Sequence, residues 1–198
     1  MSTSPDQAKT SVGPYKVSGI NHLALVCRDM QQTVDFYEGV LGFPLVKTIE
    51  LPGDMGQHFF FDIGNGDCLA FFNFPTAPDA VPGVSSPDPD TFFDPAAELV
   101  TAIGSMNHVA FNVAPEEIEA ARDRLVDAGI RCTPIINHDD SDRGIARENH
   151  SGVFVRSVYF TDPDGIMLEF AAWTRAMRPE DVRHAPARAA EAVAVLAD

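Results

Sequence analysis

One short phrase occurs twice in this chain. Gly19-Ile20-Asn21-His22-Leu23-Ala24-Leu25-Val26 returns 86 residues later as Ser105-Met106-Asn107-His108-Val109-Ala110-Phe111-Asn112. A single return at that distance is a duplicated module, not the short period of a solenoid. Each copy alternates as a strand does, with a histidine at the same phase. The segments after the two copies recur as well. Asp29 can cap a helix that carries Met30, Val34, Tyr37 and Leu41 on one side and stops at Gly42. The apolar runs Phe43 to Leu51, His58 to Ile63 and Cys68 to Phe74 come next, divided by Pro52-Gly53-Asp54 and Gly64-Asn65-Gly66-Asp67. After the second copy (Asn107 to Val113) the spacing predicts a helix over Pro115 to Ala128, closed by Gly129. Strands are expected over Arg131 to Ile136, Val153 to Thr161 and Ile166 to Ala172, the last two joined by Asp162-Pro163-Asp164-Gly165. Both modules thus run strand, helix, three strands.

The expected organisation is an N-terminal arm over 1–17, a first module over 18–75, a Pro-rich acidic linker over 76–104, a second module over 105–173 and a helical tail over 174–198. The stretch Asn137 to Ser151 is polar and reads as a loop. Lys and Arg number 14 against 29 Asp and Glu, a formal charge of -15, which opposes binding to nucleic acid or an anionic membrane. Cys27, Cys68 and Cys132 are scattered and form no paired motif, so a reducing compartment is expected. With a polar start and no apolar run of bilayer length, the expected location is cytoplasmic.

Strand phase singles out three side chains. His22 shares a face with Ala24 and Val26, and His108 with Ala110 and Asn112. Glu169 shares a face with Met167, opposite the apolar row Ile166, Leu168 and Phe170. All three project away from the side that should pack on the helices. One histidine or glutamate on a half-buried strand is ordinarily a hydrogen-bonded structural residue. The duplicated phase and the added carboxylate shift the balance to a divalent metal, because Glu169 without a cation would be a carboxylate partly stripped of water.

These segments resemble the vicinal oxygen chelate superfamily, which includes glyoxalase I, bleomycin-resistance proteins and extradiol dioxygenases. The likeness is carried by Asn21-His22-Leu23-Ala24, Asp35-Phe36-Tyr37, Leu41-Gly42-Phe43, Asn107-His108-Val109-Ala110, and Tyr159 through Gly165 to Leu168-Glu169. It implies an α+β fold of two βαβββ modules whose mixed sheets curl into a cup around a metal. Glyoxalase I has a fourth ligand on the strand that here reads Cys68-Leu69-Ala70-Phe71, and Ala70 stands in its place. The set His22, His108 and Glu169 is then two histidines and one carboxylate, which suits Fe(II) and also accepts Mn, Zn or Ni. The resemblance to extradiol enzymes implies a tyrosine at a substrate oxygen, here Tyr159, and a histidine at the substrate hydroxyl, here His150. A core aromatic is the competing assignment for Tyr159, and an exposed loop histidine for His150. The acid–base histidine such enzymes carry near Asp67 is missing, and His58 lies on the preceding strand.

The leading expectation is an Fe(II)-dependent dioxygenase acting with O2 on a catechol-like small molecule, with Phe60, Phe72, Phe74 and Met167 as apolar walls. The alternatives are a lyase, isomerase or thiol transferase using the metal as a Lewis acid, and a bleomycin-resistance-type binding protein. The two modules can meet within one chain or across a homodimer.

Overall fold

The computed structural model describes residues 13–15, 19–78, 89, 106–181 and 184–187. Most of the expected arm, linker and tail therefore lies outside the described residues. The first strand, β1 (His22–Cys27), buries Cys27 and turns Leu23 and Leu25 inward. Asp29 then caps α1 (Met30–Val34) by accepting the Gln32 N–H at 3.0 Å. The helix does not continue as a regular α-helix. Over Asp35–Val40 it widens into a π-helical turn, with Leu41 N–H bonded to the Phe36 carbonyl. The extra residue in the turn drives both Phe36 and Tyr37 into the core. Gly42, at φ 74°, ends it in the left-handed conformation, as the sequence predicts.

Three strands follow: β2 (Leu45–Glu50), β3 (Gln57–Asp62) and β4 (Cys68–Asn73). The sheet order is β1-β4-β3-β2, with β1 parallel to β4 and the other pairs antiparallel. Gly56, at φ 117°, lets the β2–β3 connection close onto the end of β4. A side chain there would collide with the Asn73 carbonyl.

The second module repeats the plan with β5 (Val109–Asn112), α2 (Ile118–Asp127), β6 (Ile136–His138), β7 (Ile145–Ala146), β8 (Val155–Thr161) and β9 (Met167–Trp173). Its order is β5-β9-β8-β6-β7, again with the first strand parallel to the last. Three expectations are corrected. The strand over Arg131 to Ile136 shrinks to a bridge between Cys132 and Phe160, because Pro134 has no N–H to give a ladder. Pairing resumes at Ile136 and runs into the polar stretch expected as a loop, where β6 and β7 form a short hairpin. From Arg175 to Asp181 the chain is in bends and turns, not the expected helix. There Asp181 takes both the Arg175 guanidinium and the Arg178 N–H.

The fold is α+β, two mixed sheets sharing one core. Tyr37, Phe61, Leu69 and Phe71 of the first module belong to the same buried cluster as Phe111, Leu125, Phe160 and Phe170 of the second. Phe43 meets Phe111 edge-on at 5.0 Å between centroids. Polar ties cross the seam as well. The Tyr37 hydroxyl donates to Asp162 at 3.0 Å, and the Arg28 N–H donates to Asp164 at 3.0 Å. Both sheets turn their apolar faces and helices toward this core, so the faces bearing His22 and His108 point away from it. No helix among the described residues is long and apolar enough to cross a membrane.

Burial pushes the Asp162 carboxyl up to about 6, against bonds from Ile166 N–H and the Tyr37 hydroxyl that pull it down. A carboxyl with a raised folded value favours the protonated native state. Its contribution is present below the unfolded value near 4 and is lost as pH rises through about 6. Asp162→Asn removes this titration. Its stability relative to the unsubstituted protein should therefore grow between pH 4 and pH 6, by at most about 3 kcal/mol, in urea melts at each pH.

Candidate functional site

The site is built on the outward face of β5, β9 and β8. Cα pairing sets Ala110 and Tyr159 on either side of Glu169, and His108 enters β5 one residue before its start on the same face. His108 Nε2 lies 2.8 Å from Glu169 Oε2. The Tyr159 ring stands edge-on to the His108 ring at 5.5 Å. Glu169 is 5% exposed and Tyr159 8%, so both polar groups work largely out of water.

The other ring nitrogen of His108 is fixed by its neighbour: Nδ1 is 2.6 Å from Asn107 Oδ1. The same device recurs in the first module, with His22 Nδ1 2.8 Å from Asn21 Oδ1. An amide oxygen only accepts, so each Nδ1 carries a proton. Each Nε2 is thereby aimed outward, the orientation a ligating imidazole needs. The Asn-His repeat was visible in the sequence, but the orienting role of Asn21 and Asn107 was not drawn from it.

The charge logic at His108 is unusual. Both of its contacts are to side-chain oxygens, one of an amide and one of a carboxylate. A cation between Nε2 and Oε2 satisfies both with a neutral ring. The separation also fits, because two bonds of about 2.1 Å at right angles put their donors roughly 3 Å apart. Burial works to raise the Glu169 carboxyl, but bonding to His108 and Ser157 and the charge of His108 outweigh it and hold the group below its ordinary value. Tyr159 is pushed up to about 12 by burial and by the charge of Glu169, so its hydroxyl stays a donor.

His22 is not gathered with this pair. It lies exposed on the face of the other sheet, and among the described residues no three His, Cys, Asp or Glu side chains converge to hold an ion. Its surroundings are aromatic. Phe60 meets its ring at 5.7 Å, and His58 stacks on Phe72 at 3.6 Å, with Phe72 in turn stacked near Phe74 at 5.2 Å. His58 is tied through Nδ1 to the Phe71 carbonyl at 3.1 Å, level with Phe72 and not with His22. Met167 lies on the other sheet, on the Glu169 face of β9, buried there with Ile136 and Tyr159. His150 is exposed, with Nε2 3.3 Å from Asp139 and Nδ1 accepting the Gly152 N–H at 3.0 Å. His138, a polar side chain on the Glu169 face, had no sequence signal, since β6 itself was misplaced there, whereas Ser157 shares the phase of Tyr159 on β8.

The family described as the Glyoxalase/Bleomycin resistance protein/Dioxygenase superfamily matches residues 19–170. The Arabidopsis thaliana protein "Glyoxylase I 4" is 25% identical over 156 residues, 79% of this chain and 71% of that protein. The "Metallothiol transferase FosB" of Lysinibacillus sphaericus is 27% identical over 158 residues, 80% of this chain and 84% of that protein. Among solved structures, a glyoxalase family protein from Enterococcus faecalis superposes with a TM-score of 0.53 at 25% identity, covering 77% of this chain and 96% of its own.

Asn21→Leu removes the acceptor at His22 Nδ1. The neutral ring should then move its proton to Nε2, the tautomer a free imidazole prefers, turning a donor toward the space an ion would occupy. Long-range proton–nitrogen spectra of the histidine rings read the change directly, and a His22 ring that keeps its Nδ1 proton would contradict the assigned role of Asn21.

Proposed function

The chain belongs to the Glyoxalase/Bleomycin resistance protein/Dioxygenase superfamily, and from that premise we propose that it is a metal-dependent enzyme whose reaction is extradiol-type oxidation of a small aromatic molecule with two adjacent oxygens. Tyr159 is the observation that carries this reading. Its hydroxyl is held protonated against His108 and Glu169, at the extradiol spacing of ten residues before the carboxylate. His108 and Glu169 would hold the ion, Fe(II) first among the candidates, with a His22 as third ligand. When bound, it would supply Lewis acidity and open positions for substrate oxygens and O2.

The chain's own groups have separable tasks. Tyr159 donates a hydrogen bond to a substrate oxygen and steadies charge as it develops there. Phe60, Phe72 and Phe74 offer ring faces and edges on the His22 side. His150, braced by Asp139, takes or returns a proton. Because His22 faces away from the His108–Glu169 pair of its own chain, we assign the third ligand to a second copy, making the enzyme a homodimer with shared sites.

A second reading is favoured by the relatives. Two that span about four-fifths of this chain are named as a glyoxalase and a metallothiol transferase. In that reading Zn, Mn or Ni serves as a Lewis acid only. The lack of a histidine near Asp67 agrees with it, since His58 is locked in its stack.

Purification without oxygen, iron loading and a panel of catechols decide between them. Oxygen uptake coupled to loss of the catechol supports the first reading. Full metal occupancy with turnover that survives anaerobiosis supports the second, and no metal uptake at all would leave simple ligand sequestration. The shared site has its own test: His22→Ala and His108→Ala should each abolish tight metal binding. Refolded together in equal amounts, they should recover roughly a quarter of the sites, because half the dimers are mixed and each holds one intact set. No recovery on mixing would rule out sites built between copies.

A further inference from the structure

A cavity of about 420 Å³ opens at the seam between the modules, on the side where the helices pack. Small-molecule sites occupy about 300–1,000 Å³ and favour such seams. The first module lines it with the segment Val40 to Phe43, and the second with Ala121 and Leu125 of α2 and Phe170 of β9. Phe170 and Glu169 are neighbours on β9 and point to opposite faces. The sheet therefore separates this cavity from the His108–Glu169 pair.

The widened turn shapes the first wall. Asp35–Val40 is wound as a π-helix, an insertion that recurs at functional sites. The winding sends Phe36 and Tyr37 inward together and leaves Val40, at its end, 43% exposed beside the cavity. Gly42 follows at φ 74° with no side chain, and a Cβ there would meet nothing within 4 Å. Phe43 is held edge-on to Phe111 at 5.0 Å, which fixes the wall in place.

Among the described residues that line the cavity, Arg124 carries the one charge. Its spacing puts it on the same face of α2 as the buried Ala121 and Leu125. The Arg124 side chain is 67% exposed, and its ion pair with Glu117 is long, at 3.9 Å between two exposed groups. Such a pair contributes little, so the guanidinium is free to turn its fork to an anion seated at the mouth. Apolar walls call for an apolar body, and a single guanidinium calls for a single negative head. A carboxylate matches the fork with two parallel bonds. A doubly charged phosphate is disfavoured by Glu117 beside Arg124 and by the formal charge of -15.

We infer that this cavity is a second ligand site. It takes an amphipathic monocarboxylate, with the apolar body between the modules and the head on Arg124. The site is separate from the proposed metal chemistry and does not depend on which reaction that chemistry performs.

The test is calorimetry on the full chain with octanoate, with octanol as the same body without the charge, and with acetate as the head without the body. Octanoate should bind roughly fivefold more tightly than octanol, and acetate should give no heat. Arg124→Gln should bring octanoate and octanol to within about twofold of each other, and Arg124→Glu should make octanol the tighter ligand. Arg124 is exposed, so neither change should disturb folding. Ala121→Phe fills the cavity from its buried side and should remove binding of both ligands. Its thermal melting without ligand checks that it has folded, and if it has not, the two Arg124 variants decide. The inference is overturned if octanoate does not bind at millimolar concentration, or if octanol binds as tightly to the unsubstituted protein. It is equally overturned by a preference unchanged in both Arg124 variants, or by full affinity in a folded Ala121→Phe.

Discussion

Alternation along a strand, imposed twice on a common core, is the constraint on which the structure depends. Each sheet has to bury one row of side chains, and the two buried rows join one cluster that includes Phe61 and Phe71 of the first sheet and Phe111 and Phe170 of the second. Once that is fixed, the complementary rows have no freedom. His22 with Ala24 and Val26, and His108 with Ala110 and Asn112, are turned outward by the same geometry that packs Leu25 and Phe111 inward. A one-residue slip of either β1 or β5 would bury a histidine and expose a phenylalanine or leucine, so packing energy in the core also sets the chemistry outside it. The Tyr37–Asp162 bond adds direction to an otherwise non-directional contact, since it is made across the seam and well away from water.

The second governing feature is a local shortage of positive charge. Glu169 is nearly dry, and its close partners are an imidazole, a serine and a tyrosine. A fixed arginine or lysine would have completed that set as a structural ion pair. The chain supplies instead a histidine whose far nitrogen is tied to an asparagine acceptor. The result is a carboxylate and an oriented imidazole facing each other at 2.8 Å, largely out of water. The paired Asn-His steps show that this orientation was duplicated with the module.

Much of this was legible in the sequence, and the gaps have physical causes. The repeat, its helices, the Gly42 stop and the outward phase of His22, His108 and Glu169 all come from periodicity and turn chemistry, which act over a few residues. The widened turn at Asp35–Val40 was not legible, because an α and a π winding share nearly the same apolar spacing and only the packing of Phe36 beside Tyr37 selects between them. The strand after α2 was misplaced because Pro134 breaks the ladder inside an apolar run. The pairing that survives lies in Ile136–His138, whose polar flank reads as a loop. His138 was missed for that reason. The family resemblance singled out His22, His108, Glu169 and Tyr159, but not that His22 lies apart from the other three. That depends on how two faces are turned, a tertiary fact no local pattern encodes.

The parallel pairing of first and last strands has a kinetic consequence. In both modules the opening strand finds its neighbour only after everything between has been made, β1 beside β4 and β5 beside β9. His108 and Glu169 are 61 residues apart in the chain, and loop closure over that distance belongs to the slow, non-local part of folding. A chain emerging from the ribosome thus exposes the Asn-His step long before its carboxylate exists. The contact between His108 and Glu169 arises only with the final strand, so that its formation reports a finished sheet.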